Sequence, residues 1–272
     1  MSANGPGVSF LYGTAPGRAL LDAIQKTRAE RVFVAFLRSG LSRPLIPYFA
    51  RKHRIPIEPG SRFGSFRDFF ARTRADLPTD QTPEHLVSPC DGWLSVFPIE
   101  ENSSFAIKHS RYRVADLIED AALAERFRGG TCMVLRLCAS DYHHYSYIDD
   151  GGQGENHFIP GVLHSVQPIA CDTFPVFTLN RRCWCRMDTQ HFGTVIQTEI
   201  GALVVGGIVN HRENCTFRRG EEKGHFDLSG STITLLFERD RVRLRPELER
   251  ALRVCDEVRV EQGMWIGSGI QA

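Results

Sequence analysis

From about residue 85 onward, short apolar runs alternate with turn-forming residues, and this pattern limits the possible folds more than any other feature of the chain. Runs such as GTCMVLRLC, HFGTVIQTEIGALVVGGIV and GSTITLLFE are rich in Val, Ile, Leu and Thr and are bounded by Gly, Pro, Asn or Asp. Such composition at these lengths is typical of β-strands separated by turns. The pattern therefore predicts a mostly β body.

Helical spacing of apolar residues dominates the chain before this pattern. Residues 16–54 are predicted to be helical, with interruptions near Gly40 and at two prolines, and 65–78 is predicted to form a further short helix. Within the β-rich part, 114–127 and 245–253 keep the same spacing.

Two regions follow from these patterns. We expect residues 1–80 to form an N-terminal helical region that associates with membranes, and residues 81–272 to form a β-rich catalytic domain. The predicted fold class is α+β: a mostly antiparallel β catalytic body with an N-terminal helical appendage.

Composition narrows the functional classes. The chain of 272 residues is 42% hydrophobic, which is enough for a sizeable core, and its formal charge of +1 argues against a nucleic-acid partner. The eight cysteines are scattered and no secretory signal is seen, so we expect free thiols in a reducing compartment. Because Cys183 and Cys185 lack a second close pair, no metal is expected.

Residues 17–55 carry a strong local charge. Nine basic side chains and two acidic ones give a difference, nine minus two, of +7, and apolar residues are interleaved with them. A basic amphipathic helix on an anionic membrane has this composition, and so has a helix that packs on its own domain. Since no run of about 18 apolar residues is present, we expect peripheral association at the cytoplasmic side of a membrane, without a signal peptide or a transmembrane helix.

Several polar residues at strand ends are candidates for a site. His143 and His144 follow an apolar run in SDYHHYSYIDDGG. Asp91 lies in the tight turn of SPCDGW, and His211 follows the strand GALVVGGIV. Two adjacent histidines at a strand end favour a site, whereas Asp-Gly alone is a common turn. His225 is interpreted as a strand histidine that faces solvent or a neighbouring glutamate.

The stretch DLSGSTITLLFERD places Gly230, Ser231 and Thr232 between a charged turn and an apolar strand. One interpretation is a simple turn before a buried strand, because Gly and Ser form turns and the following residues favour strands. The other is that the chain cuts itself before Ser231 and keeps the remainder of the serine as a cofactor.

The order of these segments resembles that of the phosphatidylserine decarboxylase family. SPCDG, SDYHH, HSVQP, IGALVVGGIV and RGEEKGHFDLSGSTITLLF follow the order of that family's SPADG-like turn, DYHRxH-like segment, SVNP-like segment, VGATxVGSI-like strand and KGxExGxFxxGST terminus. FRDFFAR is similar to its FNEFFxR segment. The resemblance extends from about residue 44 to the end of STITLLF, and more loosely to GMWIG. The Gly-Ser-Thr terminus is its most specific element.

The resemblance implies a self-cleaving decarboxylase. The Ser231 hydroxyl would attack the Gly230 carbonyl, and elimination and hydrolysis would leave a pyruvoyl group and ammonia. Asp91 would orient the base that the serine needs. His143 would lie beside the substrate as a carboxylate contact or proton donor, and Ser165 is a further substrate-binding candidate. The pyruvoyl ketone would take up the substrate amine, so neither pyridoxal phosphate nor a metal is implied.

One position departs from the family pattern. The family's second histidine, three residues after the first, is the base of its self-cleavage, and Ser146 occupies that position here. His144 would share a strand face with Ser146, roughly 6.6 Å away along the strand. His211 could approach from a neighbouring strand. Both remain open as the base, and so does the possibility that neither serves.

Three functions stay open at this point. The first is decarboxylation of phosphatidylserine to phosphatidylethanolamine, by a homo-oligomer whose two cleavage products remain associated. The second is pyruvoyl-dependent decarboxylation of a soluble amino acid. The third is an uncleaved, inactive homologue that binds a lipid or a protein partner.

Overall fold

The computed structural model describes residues 6–27, 30–74, 77–107, 110–202, 207–228 and 231–270. The α-helices in these ranges are α1 Pro6–Gly13, α2 Ala15–Thr27, α3 Glu30–Arg38, α4 Leu45–His53, α5 Phe66–Phe70, α6 Val114–Ile118, α7 Ala121–Ala124, α8 Pro168–Thr173, α9 Val176–Leu179 and α10 Pro246–Leu252. None of these helices is long and apolar enough to cross a bilayer.

The strands in the same ranges all lie after the N-terminal helices α1–α5. They are β1 His85–Val87, β2 Gly92–Pro98, β3 Ser104–Ile107, β4 Ser110–Arg113, β5 Thr131–Leu137, β6 His144–Ser146, β7 Gly151–Gln153, β8 His157–Ile159, β9 Arg182–Thr189, β10 Gly193–Ile200, β11 Gly207–Asn210, β12 Cys215–Phe217, β13 Glu222–Asp227, β14 Ser231–Phe237, β15 Val242–Leu244, β16 Val258–Val260 and β17 Trp265–Gly269.

The strands form one large sheet and three small ones. The large sheet has the order β12-β7-β9-β10-β14-β5-β2-β16, with β8 also paired to β9, and its named pairings are antiparallel. The small sheets have the orders β1-β17-β15, β11-β13-β6 and β3-β4. The α+β prediction with a mostly antiparallel body is therefore confirmed.

Both faces of the large sheet are buried at its centre. On β5, Cys132 and Val134 pack into a cluster with helices α6 and α9, whereas Met133 and Leu135 pack into a second cluster with β1 and β17. Successive strand residues point to opposite faces, so a strand covered on both sides needs apolar residues at consecutive positions. This explains the uninterrupted apolar runs in the sequence.

The N-terminal helices pack against the β body. Leu37, Ile46 and Phe66 share a buried cluster with Leu228, which follows β13. Nearer the N-terminus, Tyr12 is 1% exposed and packs with the core on one face of the large sheet. The helical region and the β body thus share hydrophobic contacts.

Two helix predictions are wrong in their extent. The helix predicted over 65–78 ends at Phe70, because the chain then turns so that Arg74 pairs with Asp91 at 2.9 Å; residues 75 and 76 lie outside the described ranges. The Ser65 hydroxyl caps its start by accepting the Asp68 N–H.

The helix predicted over 114–127 is broken into α6 and α7. Glu119 has a left-handed φ of 53°, and the Asp120 side chain then caps α7 by accepting the Leu123 N–H at 2.9 Å. The helices α3, α4 and α10 lie within predicted segments, and α2 begins one residue before its segment. The interruption predicted at Pro47 is wrong, because α4 continues through this residue.

A buried ion pair joins a small sheet to the large one. Lys223 Nζ on β13 lies 2.8 Å from Glu199 Oε1 on β10, and both side chains are fully buried. Asn210 Oδ1 on β11 accepts a further hydrogen bond from Lys223 at 2.7 Å. Because removal of one partner from such a pair costs about 3–5 kcal/mol, this network fixes the sheet β11-β13-β6 against β10.

Candidate active site

Ser231 begins β14 at the centre of the large sheet. β14 lies between β10 and β5, and Ser231 is directly opposite Leu137, the last residue of β5. The serine is 1% exposed. Gly230, the other residue of the predicted cleavage site, lies outside the described ranges. The predicted nucleophile is therefore a buried hydroxyl on a strand that is paired on both sides.

The chain approaches Ser231 through a strained residue. Leu228 has a φ of 75°, a left-handed conformation that bulky residues rarely adopt. It is 2% exposed and packs among the N-terminal helices. Conformations of this kind cost on the order of 1–3 kcal/mol and persist only where the surroundings impose them. The helices therefore hold strained backbone three residues before Ser231.

Two arginines from the N-terminal region hold the carboxylate of Asp227, the last residue of β13. Arg38 Nη2 donates to Oδ2 at 2.7 Å, and Arg67 Nε donates to Oδ1 at 2.6 Å. Asp227 is buried, so these charge-assisted hydrogen bonds replace its hydration. This group of three residues, the Asp227 clamp, ties α3 and α5 to the chain four residues before Ser231.

His143 is buried and its tautomer is fixed by the backbone. Its Nδ1 lies 2.8 Å from the carbonyl oxygen of Asp141, so Nδ1 carries the proton and donates it. Nε2 is buried and has no hydrogen-bond partner among the described residues. Burial lowers the pKa of His143 to about 4. A neutral ring with an unpaired Nε2 can accept a proton from a neighbouring group.

The two histidines predicted as alternative bases lie in one cluster with His225 and Glu222. His144 Nδ1 is 3.0 Å from Glu222 Oε1, and its Nε2 is 3.1 Å from the carbonyl oxygen of Ala71. His211 Nε2 is 3.3 Å from His225 Nδ1. Both nitrogens of His144 and the Nε2 of His211 are therefore already engaged.

Asp91 lies in the turn before β2, and Ser146 packs against the same turn. Among the described residues, the Asp91 carboxylate accepts the Gln262 N–H at 3.0 Å and pairs with Arg74 at 2.9 Å. Ser146 donates its N–H to the Pro89 carbonyl at 2.9 Å. The position of the family's base thus adjoins the Asp91 turn but carries a hydroxyl.

Ser165 lies in the turn before α8. Its Oγ accepts the Gln167 N–H at 3.2 Å, and its own N–H donates to the Tyr12 hydroxyl at 2.8 Å. These contacts anchor α1 to the β body. A role of Ser165 toward substrate stays a prediction.

Backbone pairing brings the Ser231 and His143 segments to one end of β5. Ser231 is opposite Leu137, and His143 follows Leu137 by six residues. The carbonyl of His143 accepts the Phe226 N–H at 2.9 Å, five residues before Ser231. On the other side of β5, β2 pairs with it directly after Asp91. The backbone pairings therefore bring the segments that contain Ser231, His143 and Asp91 toward the same end of β5.

The Asp227 clamp and the contact of Glu222 with the histidine cluster were not predicted from the sequence. Arg67 lies in FRDFFAR, which carries part of the resemblance, but no local pattern connects it or Arg38 to Asp227. Glu222 and His225 are three residues apart on β13, which in a regular strand places them on opposite faces. A β-bulge between Glu222 and Gly224 shifts the register and changes this relation.

Comparison with known proteins agrees with the order of these segments. A family model described as phosphatidylserine decarboxylase matches residues 66–266. The chain is 35% identical over 265 residues to phosphatidylserine decarboxylase proenzyme 2 of Clostridium acetobutylicum, covering 96% of this chain and 91% of that protein. The chain belongs to the phosphatidylserine decarboxylase family.

Other relatives in the family show the same extent of similarity. The phosphatidylserine decarboxylase proenzyme of Clostridium perfringens is 34% identical, covering 96% of this chain and 92% of its own length. The corresponding proenzyme of Desulfitobacterium hafniense is 31% identical over 96% of this chain and 91% of its own length. The similarity therefore includes the N-terminal helices as well as the β body.

The Asp227 clamp leads to a prediction about self-cleavage. Asp227→Asn removes the charge that holds Arg38 and Arg67, so the strained segment before Ser231 relaxes, and we expect cleavage to slow by roughly tenfold, or about 1.4 kcal/mol in the barrier. Cell-free synthesis followed by a time course on denaturing gels measures this rate. Asp188→Asn, at an exposed carboxylate, is the matched control. Cleavage of Asp227→Asn at the wild-type rate would show that the clamp does not position the site.

Proposed function

We propose that this protein decarboxylates phosphatidylserine to phosphatidylethanolamine, using a pyruvoyl group that it makes from Ser231 by cutting its own chain. Family membership over most of the chain supports the reaction class. The single observation that carries the residue assignment is the buried Ser231 hydroxyl at the start of a central strand, directly after a strained and clamped segment.

Self-cleavage starts at the Ser231 hydroxyl. Its oxygen attacks the carbonyl carbon of residue 230, the C–N bond breaks, and the acyl group moves from nitrogen to oxygen to give an ester. Loss of the α-proton of Ser231 then expels the carboxylate of residue 230 and leaves a dehydroalanine. Addition of water releases ammonia and completes the pyruvoyl group. The strain at Leu228 and the clamp on Asp227 lie three and four residues before the serine that attacks.

The surroundings of Ser231 fit a covalently bound keto-acyl group. The residue is buried, so the group would be protected from bulk water, and the pairing of Ser231 with Leu137 of β5 would hold its orientation. Such a group takes up the substrate amine and withdraws electrons as carbon dioxide leaves. No other cofactor is required by this proposal.

We assign the base role to His143 rather than to His144 or His211. His143 has an Nε2 without a partner among the described residues and a tautomer, fixed by the Asp141 carbonyl, that leaves this nitrogen able to accept a proton. Both nitrogens of His144 are engaged, and the His211 side chain is 39% exposed. The same His143 Nε2, once protonated, can return a proton to the substrate carbon after decarboxylation.

The two products of cleavage are expected to stay together. The smaller product would contain β14, which pairs with β5 along its whole length and with β10 from Thr232 to Phe237, and also β16 and β17, which pair with β2 and β1. Separation would break all four pairings. The expected homo-oligomer stays a prediction, which size-exclusion chromatography of the same sample measures.

The first prediction tests the nucleophile. Wild-type protein should give two denatured masses, because a cut before Ser231 divides 272 residues into 230 and 42. Ser231→Ala should give one intact chain and no phosphatidylethanolamine. Ser95→Ala, a strand serine that donates to the Asp256 carbonyl, is the control and should be cut.

Other outcomes separate the alternative functions. An intact wild-type chain without activity would replace the proposal with a binding homologue. A cut chain that converts a soluble amino acid but not phosphatidylserine would change the substrate. If Ser231→Ala were still cut at the same bond, Ser231 would not be the nucleophile.

The second prediction tests the base. In His143→Gln the side chain can still form hydrogen bonds but cannot take the hydroxyl proton, so we expect self-cleavage to slow by about 100-fold or more. Intact mass against time measures the rate, and circular dichroism checks the fold. His157→Gln, at an exposed strand histidine, should be cut normally. If His143→Gln were cut at the normal rate, His143 would not be the base, and His144 and His211 would again be the candidates.

The N-terminal region supports docking on an anionic membrane. Nine of the thirteen large hydrophobic side chains exposed in the described ranges lie between residues 10 and 57, and they form what we call the N-terminal apolar set: Phe10, Leu20, Val32, Phe33, Phe36, Leu41, Leu45, Tyr48 and Ile57. Exposed basic side chains such as Arg43 and Lys52 lie in the same segment. Apolar and basic groups exposed together are typical of helices that bind lipid surfaces.

Replacement within this set should weaken lipid binding. We expect the combined variant Val32→Asp, Leu41→Asp to sediment with phosphatidylserine-containing vesicles at least about tenfold less than wild type, because two apolar contacts are lost and two charges are repelled. Wild-type binding should weaken as salt rises. The control is Val254→Asp, at a position that is 84% exposed but outside the set. Equal loss in the control, or no loss in the combined variant, would contradict this docking surface.

A further inference from the structure

The cluster that contains His144, His211, His225 and Glu222 has no role in the proposed decarboxylation. It lies on the sheet β11-β13-β6, where His225 is the direct cross-strand partner of His144. His211 follows β11 and donates its backbone N–H to the Lys223 carbonyl at 2.9 Å. Four side chains that commonly bind metals therefore converge from three strands.

The β-bulge on β13 is what completes this group. His144 and Ser146 share one face of β6 because they are two residues apart. Their cross-strand partners are His225 and Glu222, with the bulge between them absorbing the extra residue. Glu222 consequently lies on the same face as His225. Lys223 and Tyr145 take the opposite face, where the lysine ammonium lies 5.6 Å from the tyrosine ring.

Three of the four side chains bring ligand atoms close together, and His211 lies near two of these three. His144, Glu222 and His225 each offer a ligand atom, and these atoms lie within 4.8 Å of one another. His211 Nε2 is 3.3 Å from His225 Nδ1 and 3.5 Å from Glu222 Oε1. Two ligands of a tetrahedral zinc ion, each about 2.0–2.1 Å from the metal, are roughly 3.3–3.5 Å apart.

The hydrogen bonds of His144 supply an independent indication. Its two ring nitrogens both face acceptors: the Ala71 carbonyl at 3.1 Å and the Glu222 carboxylate at 3.0 Å. A neutral imidazole has only one N–H, so one of these contacts needs an additional proton or a cation. Metal-binding histidines usually donate the second N–H to a carbonyl or carboxylate. The contact with Ala71 provides that orientation, and Nδ1 faces the Glu222 carboxylate, where a bound metal ion would replace the direct contact.

We propose that His144, His211, His225 and Glu222 bind one zinc ion. Three imidazole nitrogens and one carboxylate oxygen are a ligand set that zinc accepts, and four protein ligands are typical of a structural rather than a catalytic site. The ion would hold β13 against β6 and β11, and through Ala71 it would hold the end of α5. This goes beyond the proposed function, and it differs from the metal-free protein expected from the cysteine spacing.

The test measures metal binding without using enzyme activity. Metal-free Ser231→Ala protein, which should remain uncut, and wild-type protein are both titrated with cobalt(II) as a spectroscopic substitute for zinc. We expect visible bands typical of tetrahedral cobalt that saturate at one ion per chain. Zinc should displace the cobalt and raise the unfolding temperature. Since the uncut variant is tested separately, a failure of metal binding is distinguishable from a failure of self-cleavage.

Variants assign the ligands. His225→Gln and Glu222→Gln should each weaken zinc binding by more than about 100-fold, because outer-shell partners alone contribute about 10–100-fold. His157→Gln should bind as wild type does. Absence of cobalt bands in wild type would mean that a proton, not a metal, bridges His144 and Glu222. A sulfur-to-cobalt charge-transfer band, or wild-type affinity in both cluster variants, would place the metal elsewhere. Each of these three results would overturn the proposal.

Discussion

The carboxylate of Asp227 connects the N-terminal helices to the β body. Arg38 and Arg67 reach it from α3 and α5, and the hydrophobic cluster around Leu228 lies directly beyond it. A buried carboxylate without these partners would be costly, so the helices and the end of β13 must be placed together. The strained backbone at Leu228 depends on this placement. The geometry before Ser231 is thus determined by residues that are more than 150 positions away in the sequence.

The polar groups of the sheet β11-β13-β6 serve two different purposes on its two faces. On one face Lys223 pairs with Glu199 and holds the small sheet against the large one. On the other face, histidines and Glu222 form the cluster assigned to zinc. The bulge next to Lys223 is what separates these groups, since it shifts one residue of β13 out of regular alternation. The bulge therefore places the Lys223 side chain on the buried face and the Glu222 side chain on the face of the histidine cluster.

Much of this architecture follows from local patterns in the sequence. The apolar runs of β5, β10 and β14 identify central strands because both of their faces are buried, and the order of motifs identifies the family. Ser231 could be singled out because its junction has a specific local composition. Features that depend on tertiary contacts could not be predicted in this way. The helix expected over 114–127 fails at Glu119, where a left-handed residue and the Asp120 cap interrupt the helical spacing.

The choice of the catalytic base likewise depends partly on local sequence and partly on tertiary contacts. Replacement of the family's second histidine by Ser146 is visible in the sequence, but the choice among the remaining histidines depends on which ring nitrogen is free. His144 is adjacent to His143, yet the alternation of β6 and the carbonyl of Ala71 give it different partners. Only the three-dimensional contacts show that Nε2 of His143 is buried and unpaired among the described residues. The proposal of His143 as the base therefore rests on hydrogen bonding rather than on sequence spacing.

The most direct test of the central claim is the chemical identity of residue 231 in active protein. Purified wild-type protein is incubated with phosphatidylserine and a mild hydride reductant, and the smaller chain is then sequenced by tandem mass spectrometry. The account predicts a reduced covalent adduct between the substrate amine and the first residue of that chain, with no serine remaining there. An active protein in which residue 231 is still an unmodified serine would contradict it.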